Sequence, residues 1–301
     1  MELVKLKPIV KDYIWGGNYF QRFGKGLEFE RVSECWELSL RGVDSSIIAS
    51  GPDTGKPLVD IVTKEDVGPI QDRFPYFPLL IKLIDAKENL SVQVHPNDKY
   101  ALKNENSFGK SEMWHIISAD EECGLYVGLN NDYTKEDIEK ALEDGNILSY
   151  LNFFKVKTGD TFIINPGTIH AIGKGVRLIE IQQNSNLTYR LYDYHRLDQF
   201  GNPRELHIKK ALEVINYQKY EQAKPKEGVL CDNQYFTVKE ITFDNELIIK
   251  ANDKSFISFT FLEGSGKAND IEFNQYDTFF LPYKKECVIK GKGKIVMSTV
   301  R

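Results

Sequence analysis

Gly159-Asp160-Thr161-Phe162-Ile163-Ile164-Asn165-Pro166-Gly167-Thr168-Ile169-His170-Ala171 reads as a short β-strand, a tight Pro-Gly turn and a returning strand that opens on a histidine. Runs of the same kind recur on both sides of it. Phe153-Phe154-Lys155-Val156 precedes it, and Phe236-Thr237-Val238-Lys239-Glu240-Ile241 and Phe256-Ile257-Ser258-Phe259-Thr260-Phe261 follow. They are rich in β-branched and aromatic residues and are separated by Gly, Asn, Asp and Pro, which predicts a mostly β protein built as a sandwich or barrel. Helices are few. Thr134-Lys135-Glu136-Asp137 followed by Ile138, Ala141 and Leu142 has an N-cap and helical spacing; Leu206 to Ile215 has a helical apolar face; Pro57 to Lys64 predicts a short helix.

The 301 residues are 41% hydrophobic and 28% charged, enough chain and apolar content for a sizeable core. Lys and Arg number 39 against 44 Asp and Glu, a net charge of −5, which argues against nucleic acid as the main partner because phosphate neutralisation calls for a basic surplus. Apolar runs such as Pro78-Leu79-Leu80-Ile81 end far short of the ~20 residues a spanning helix needs, and Met1-Glu2-Leu3-Val4-Lys5 lacks the apolar stretch of a signal peptide, so no membrane role and a cytoplasmic location are expected. Cys35, Cys123, Cys231 and Cys287 have no CxxC spacing and read as reduced, mostly buried thiols.

The polar, aperiodic stretch Tyr217 to Glu227, with Lys219, Lys224, Pro225 and Lys226, reads as a linker. It divides the chain into an expected unit of residues 1–220 and a smaller one of residues 226–301. Asp277-Thr278-Phe279-Phe280-Leu281-Pro282 echoes Asp160-Thr161-Phe162-Ile163-Ile164-Asn165-Pro166. Four residues beyond the proline, the first copy has His170 and the second Glu286, so the echo is either chance or a second strand and turn without the histidine.

All five histidines, His95, His115, His170, His195 and His207, fall in the middle of the chain, so imidazole chemistry belongs there. In Ser91-Val92-Gln93-Val94-His95-Pro96, strand alternation sends Gln93 and His95 to one face and Val92 and Val94 to the other. Alone, that pattern is more readily a solvent-facing side. In Gly109-Lys110-Ser111-Glu112-Met113-Trp114-His115, alternation groups Lys110, Glu112 and Trp114 and turns His115 away. His95, Glu112 and His170 together offer two imidazoles and a carboxylate, a set that suits zinc with an open position or the facial triad of non-haem iron, and Gln93 adds a neutral oxygen. Residues 165–204 carry five basic side chains (Lys174, Arg177, Arg190, Arg196, Arg204) and three acidic ones (Glu180, Asp193, Asp198), a local surplus that suits a small anion such as a sugar phosphate.

The segment from Gly159 to Ala171 resembles the second motif of the cupin β-barrels, apart from its spacing around the proline. With Ile14-Trp15-Gly16-Gly17, Ser33-Glu34-Cys35-Trp36-Glu37-Leu38-Ser39, Leu80-Ile81-Lys82-Leu83-Ile84-Asp85-Ala86, Leu90 to Pro96, Gly109-Lys110-Ser111-Glu112, Pro166 to Gly173 and Tyr189-Arg190-Leu191-Tyr192-Asp193-Tyr194, most of the chain resembles the type I mannose-6-phosphate isomerases (phosphomannose isomerases) in their short bacterial form. The resemblance implies a cupin jelly-roll barrel with a few helices and a second, smaller, degenerate cupin-like β-barrel at the C-terminus that lacks metal ligands. It implies one zinc ion per chain held by Gln93, His95, Glu112 and His170, with Arg190, Lys110 and Glu180 catalytic and Ser91 and Arg196 touching the substrate. Longer relatives have lysine where Arg196 stands, and their extra helical domain is largely absent here.

The implied reaction interconverts mannose 6-phosphate and fructose 6-phosphate through a cis-enediol, as a monomer or homodimer acting on a small sugar phosphate. Glucose 6-phosphate is a substrate-level variant of this reading. Two readings of another class remain: an Fe(II)-dependent cupin dioxygenase, for which His95, Glu112 and His170 would suffice, and a non-catalytic sugar-binding cupin.

Overall fold

The computed structural model describes residues 1–198, 201–223 and 225–301. Lys224, which the sequence reading places in the linker, lies outside them. Three antiparallel sheets make up the described chain, as the β-rich composition predicts. One has six strands in the order Thr161–Ile164, Glu112–Ala119, Val176–Gln183, Leu79–Ala86, Glu34–Leu38 and Ile9–Lys11. A second has five, in the order Tyr189–Tyr192, Val92–Val94, His170–Ile172, Gly124–Leu129 and Leu151–Lys155. Side chains from both, among them Ile84, Trp114, Ile116, Leu125, Val127, Phe162, Ile172 and Leu178, interdigitate in one core cluster. The two sheets therefore pack face to face as a jelly-roll sandwich.

The strand Leu79–Ala86 shows why the six-stranded sheet is the centre of the molecule. All eight of its residues are buried. Leu79, Ile81 and Leu83 join a cluster with Val4, Phe256, Phe280 and Val296, whereas Ile84 and Ala86 face the five-stranded sheet. A strand covered on both faces reads as a continuous apolar run, and full burial of each such side chain is worth roughly 1.5–3 kcal/mol. The one cation in that run, Lys82, points with Ile84 towards the sandwich, where it becomes part of the site described below.

On its outer face the five-stranded sheet packs Val92, Val94, Leu129 and Leu191 against the helices Lys135–Glu143 and Ile208–Val214 through Ile138, Ala141, Ala211 and Leu212. The first helix has the expected cap: Thr134 and Asp137 form a reciprocal capping box. The stretch Pro57 to Lys64 is not one helix. It makes a 3₁₀ turn at Leu58–Asp60, and a separate short helix, Lys64–Val67, starts at a second capping box on Thr63. A further helix, Asp98–Asn104, begins where the Asn97 side chain accepts the Tyr100 N–H.

The third sheet runs Val229–Asp232, Phe236–Lys250, Glu286–Val300, Ile257–Ala268, Thr278–Leu281, Val4–Lys7, Ile47–Ile48, with Ile271–Phe273 paired to Ile257–Ala268. Its long strands enclose Phe243, Phe259, Phe261, Phe273 and Phe279. Gly264 and Gly266 lie opposite Gly293 and Gly291. A Cβ on Gly264 would come within 2.0 Å of the Lys292 carbonyl oxygen, so only glycine allows the backbones to approach so closely. Val4–Lys7 pairs with Thr278–Leu281, so strands from the first part of the chain complete the sheet formed by the last part.

The echo between the two Asp-Thr-Phe segments extends to their turns. Asp160 accepts the Lys157 N–H at 2.9 Å and Asp277 the Asn274 N–H at 2.7 Å, and each then leads into a strand. No helix among the described residues is long and apolar enough to cross a membrane.

Candidate metal centre and cavity

Strand register brings the singled-out residues together. Gln93 lies opposite His170 on one side and opposite Arg190 on the other. Glu112, at the start of its strand, lies beside Gln182 and Ile164 in the facing sheet. Val92 and Val94 are fully buried in the outer core, so alternation turns Gln93 and His95 inward. His95 Nε2 is 3.6 Å and His170 Nε2 3.2 Å from Glu112 Oε1. Ligand atoms of the three residues all lie within 4.8 Å of one another, and all three side chains are buried.

The outward nitrogens of the two rings fix their tautomers. His95 Nδ1 donates to the Leu187 carbonyl at 2.7 Å, and His170 Nδ1 to the Thr168 carbonyl at 2.8 Å. Each neutral ring therefore presents its Nε2 lone pair inward, the orientation a metal-binding histidine takes. Burial, then Lys110, presses His95 down to about 4, and burial likewise lowers His170. Burial by itself would raise the Glu112 carboxyl, but Lys110 and His95 outweigh it and hold the group well below the usual carboxylate range. Neither Glu112 oxygen accepts a directed hydrogen bond, although Lys110 Nζ is 2.8 Å from Oε2. Two lone pairs aimed at a buried carboxylate oxygen, Glu112 Oε1, that no donor reaches are arranged unfavourably unless a cation sits among them, so these residues fit a divalent metal ion. The Gln93 amide nitrogen is 3.3 Å from His170 Nε2, and a half-turn of the amide presents its oxygen to the same place.

Beside this cluster is a cavity of about 450 Å³ whose lining includes Trp15, Ser91, Gln93, Lys110, Trp114, Glu180 and Arg190. Lys110 Nζ is also 3.2 Å from His95 Nε2, so it bridges cluster and cavity. Glu180 is held on both carboxylate oxygens: Lys82 Nζ lies 3.0 Å from Oε1, and Trp114 Nε1 donates to Oε2 at 2.8 Å. Burial works to deprotonate Lys82, but Glu180 and Glu34 outweigh it and keep its ammonium charged. Arg190 donates through Nε to Ser91 Oγ at 3.3 Å and through Nη1 to the Glu205 carbonyl at 2.7 Å. Burial and then Arg204 lower its pKa from the usual arginine value.

Arg196 is placed differently from the other expected residues. Its guanidinium is held by Asp193 and the Asn89 carbonyl, and it is absent from the cavity lining, which instead includes Arg204. Sequence reasoning also passed over Lys11, Tyr13, Glu34, Trp36 and Lys82, which line the same space. Lys82 did leave a signal, as the one cation inside an apolar strand. His115 does turn away from Glu112, as alternation predicts, and meets Thr161 at 2.9 Å and Glu240 at 3.2 Å.

Residues 3–120 match the family described as phosphomannose isomerase type I, catalytic domain. Mannose-6-phosphate isomerase ManA of Bacillus subtilis is 37% identical over 310 residues, covering 97% of each chain. A mannose-6-phosphate isomerase of Streptococcus mutans is 37% identical over 234 residues, 75% of this chain and 74% of that protein. The crystal structure of the Bacillus subtilis mannose 6-phosphate isomerase superposes with a TM-score of 0.87 at 33% identity, covering 99% of both chains. A phosphomannose isomerase variant from Salmonella typhimurium shares the fold, with a TM-score of 0.79 at 15% identity. Because 37% identity to the Bacillus subtilis protein spans nearly the whole of both sequences, the chain belongs to the mannose-6-phosphate isomerase family, the type I phosphomannose isomerases.

Proposed function

We propose that this chain interconverts mannose 6-phosphate and fructose 6-phosphate, with Gln93, His95, Glu112 and His170 holding one zinc ion. The observation that carries the reading is the convergence of two inward imidazole lone pairs on the unsolvated Glu112 carboxylate at the edge of a polar cavity. When bound there, the ion supplies Lewis-acid stabilisation for negative charge developing on substrate oxygens. The chain's own residues do the rest. Isomerisation takes a proton from C2 of the open-chain aldose and returns it to C1, passing through a cis-enediol. Glu180 is the proposed carrier of that proton, because Lys82 and Trp114 fix its carboxylate at the cavity wall. Lys110, between the cluster and the cavity, is placed to move a proton between the substrate's two oxygens, and Arg190 to stabilise their charge, with Ser91 as its hydrogen-bond partner and a further substrate contact. Arg196 enters this scheme through Asp193.

The same reading takes residues 1–220 as the metal-binding cupin unit and residues 226–301 as a cupin-like unit without ligands. It takes the protein as a cytoplasmic monomer or homodimer that acts on a sugar phosphate and not on nucleic acid. The test is a coupled assay for fructose 6-phosphate formed from mannose 6-phosphate. Turnover lost to a chelator and restored by zinc is expected; zinc-loaded protein that leaves mannose 6-phosphate unchanged would sink the proposal.

A further inference from the structure

Resting on the isomerase reading and deepening it, we infer that Arg204 is the side chain that grips the substrate's phosphate, and that Arg196 acts only by holding Asp193. The argument is one of charge placement around the cavity. Five cationic side chains line it: Lys11, Lys82, Lys110, Arg190 and Arg204. The three lysines each have a carboxylate of their own. Lys11 lies 2.5 Å from Asp44, Lys82 3.0 Å from Glu180, and Lys110 2.8 Å from Glu112. Arg204 shares the single carboxylate of Asp193 with Arg196, and Arg190 lies within reach of the Arg204 charge. Another acid in this segment, Glu205, has a side chain at the surface, 3.8 Å from His207. Two guanidiniums against one carboxylate leave a net positive charge at this wall, of the sign that attracts the −1.5 to −2 that a phosphate monoester typically carries at neutral pH.

The geometry separates the roles of the two arginines. Leu197 and Pro203 form an antiparallel bridge, and Arg204 follows it directly. Asp193 then accepts from Arg204 Nε at 2.6 Å and from Nη2 at 2.5 Å, a bidentate clasp on one edge of the fork. Clasped in this way, Arg204 still lines the cavity, and after burial its charge is the next cause that lowers Arg190. Arg196 spends its nitrogens on Asp193 and on the Asn89 carbonyl and lies over the Tyr194 ring, 5.2 Å from its centroid. It buttresses the carboxylate that aims Arg204. A guanidinium held by one carboxylate and presented to a cavity is pre-organised for a second planar oxyanion, because little rotamer entropy is left to lose.

Steady-state kinetics of the zinc-loaded full chain, with mannose 6-phosphate as substrate and inorganic phosphate as competing ligand, test the assignment. Arg204→Gln should raise both KM and the inhibition constant for phosphate by about tenfold or more and change kcat by less than about threefold, the split expected when binding that is equal in the ground and transition states is removed. Arg196→Gln should move both constants clearly less. Unchanged constants in Arg204→Gln, or a larger effect from Arg196→Gln, overturn the inference. If Arg204→Gln fails to melt cooperatively, Arg204→Lys takes its place: an intermediate KM supports the assignment and a wild-type KM overturns it. Calorimetric titration of inorganic phosphate into wild type and variant reads the same site without turnover. A protein inert towards mannose 6-phosphate would thus count against the isomerase reading, while lost phosphate binding in the Arg204 variant would still support the anchor.

Discussion

Glu112 shows how much can rest on one side chain. It shares the buried space between two neutral imidazoles with the Lys110 ammonium. Glu112→Gln keeps the shape and removes the charge, so bound zinc measured by mass spectrometry and isomerase turnover should fall together. Retention of both would remove Glu112 from the ligand set. The variant should also melt at a lower temperature, since breaking a buried pair typically costs ~3–5 kcal/mol through the charge left behind. Arg190→Ala should retain the metal and lose about 10²-fold or more in kcat, the scale seen when one donor to a developing oxyanion is deleted. An unchanged rate would end its catalytic assignment. At this scale the sequence was informative wherever alternation applied. Gln93 and His95 turn inward because Val92 and Val94 turn outward, and Trp114 and His115 part for the same reason. Arg196 and Arg204 were harder to read, because they lie on a loop, where no periodicity tells which of two guanidiniums faces the cavity.

Among the elements, the helix Lys135–Glu143 packs on the outer face of the five-stranded sheet and touches the site only through that sheet. Thr134→Ala removes its capping box, and urea unfolding should show a loss of about 1 kcal/mol with isomerase activity preserved. Loss of activity at matched folded fraction would mean the helix does more than cover the core. The strand Leu79–Ala86 is the opposite case: Leu83→Ala should cost about 2–5 kcal/mol, because both neighbouring layers are packed against the same backbone and cannot collapse into the gap. Capping signals and apolar runs of this kind depend on a few adjacent residues and were legible beforehand. The break between Leu58–Asp60 and Lys64–Val67 was not, because the second element begins at its own cap on Thr63.

For the molecule as a whole, the informative contact is between His115 and Glu240. It ties the strand that bears Glu112 to the long strand Phe236–Lys250 of the third sheet. The hydrogen bond from His115 is the main cause that holds the Glu240 carboxyl below its ordinary value of 4.5. A depressed carboxyl stabilises the fold above its unfolded value, and that contribution disappears as pH falls through the folded value. Glu240→Gln should therefore lower the melting temperature at pH 6–8 and match wild type once the pH is well below 4.5. A difference that persists in acid would assign the effect to packing instead of charge.

The mostly β class and the division of each short strand into two faces follow from local rules, since strand alternation and turn chemistry involve only near neighbours in sequence, whereas the proposed metal-ligand set came with the family resemblance. Which of these residues meet, and how the Lys82, Glu180 and Trp114 network and the Asp193 clasp form, depended on strand register and loop closure. So did the strands Val4–Lys7 and Ile47–Ile48 crossing over to complete the sheet formed by the end of the chain. Those contacts span large separations in sequence, and their energy depends on distance and burial, quantities that come into existence only when the chain has folded.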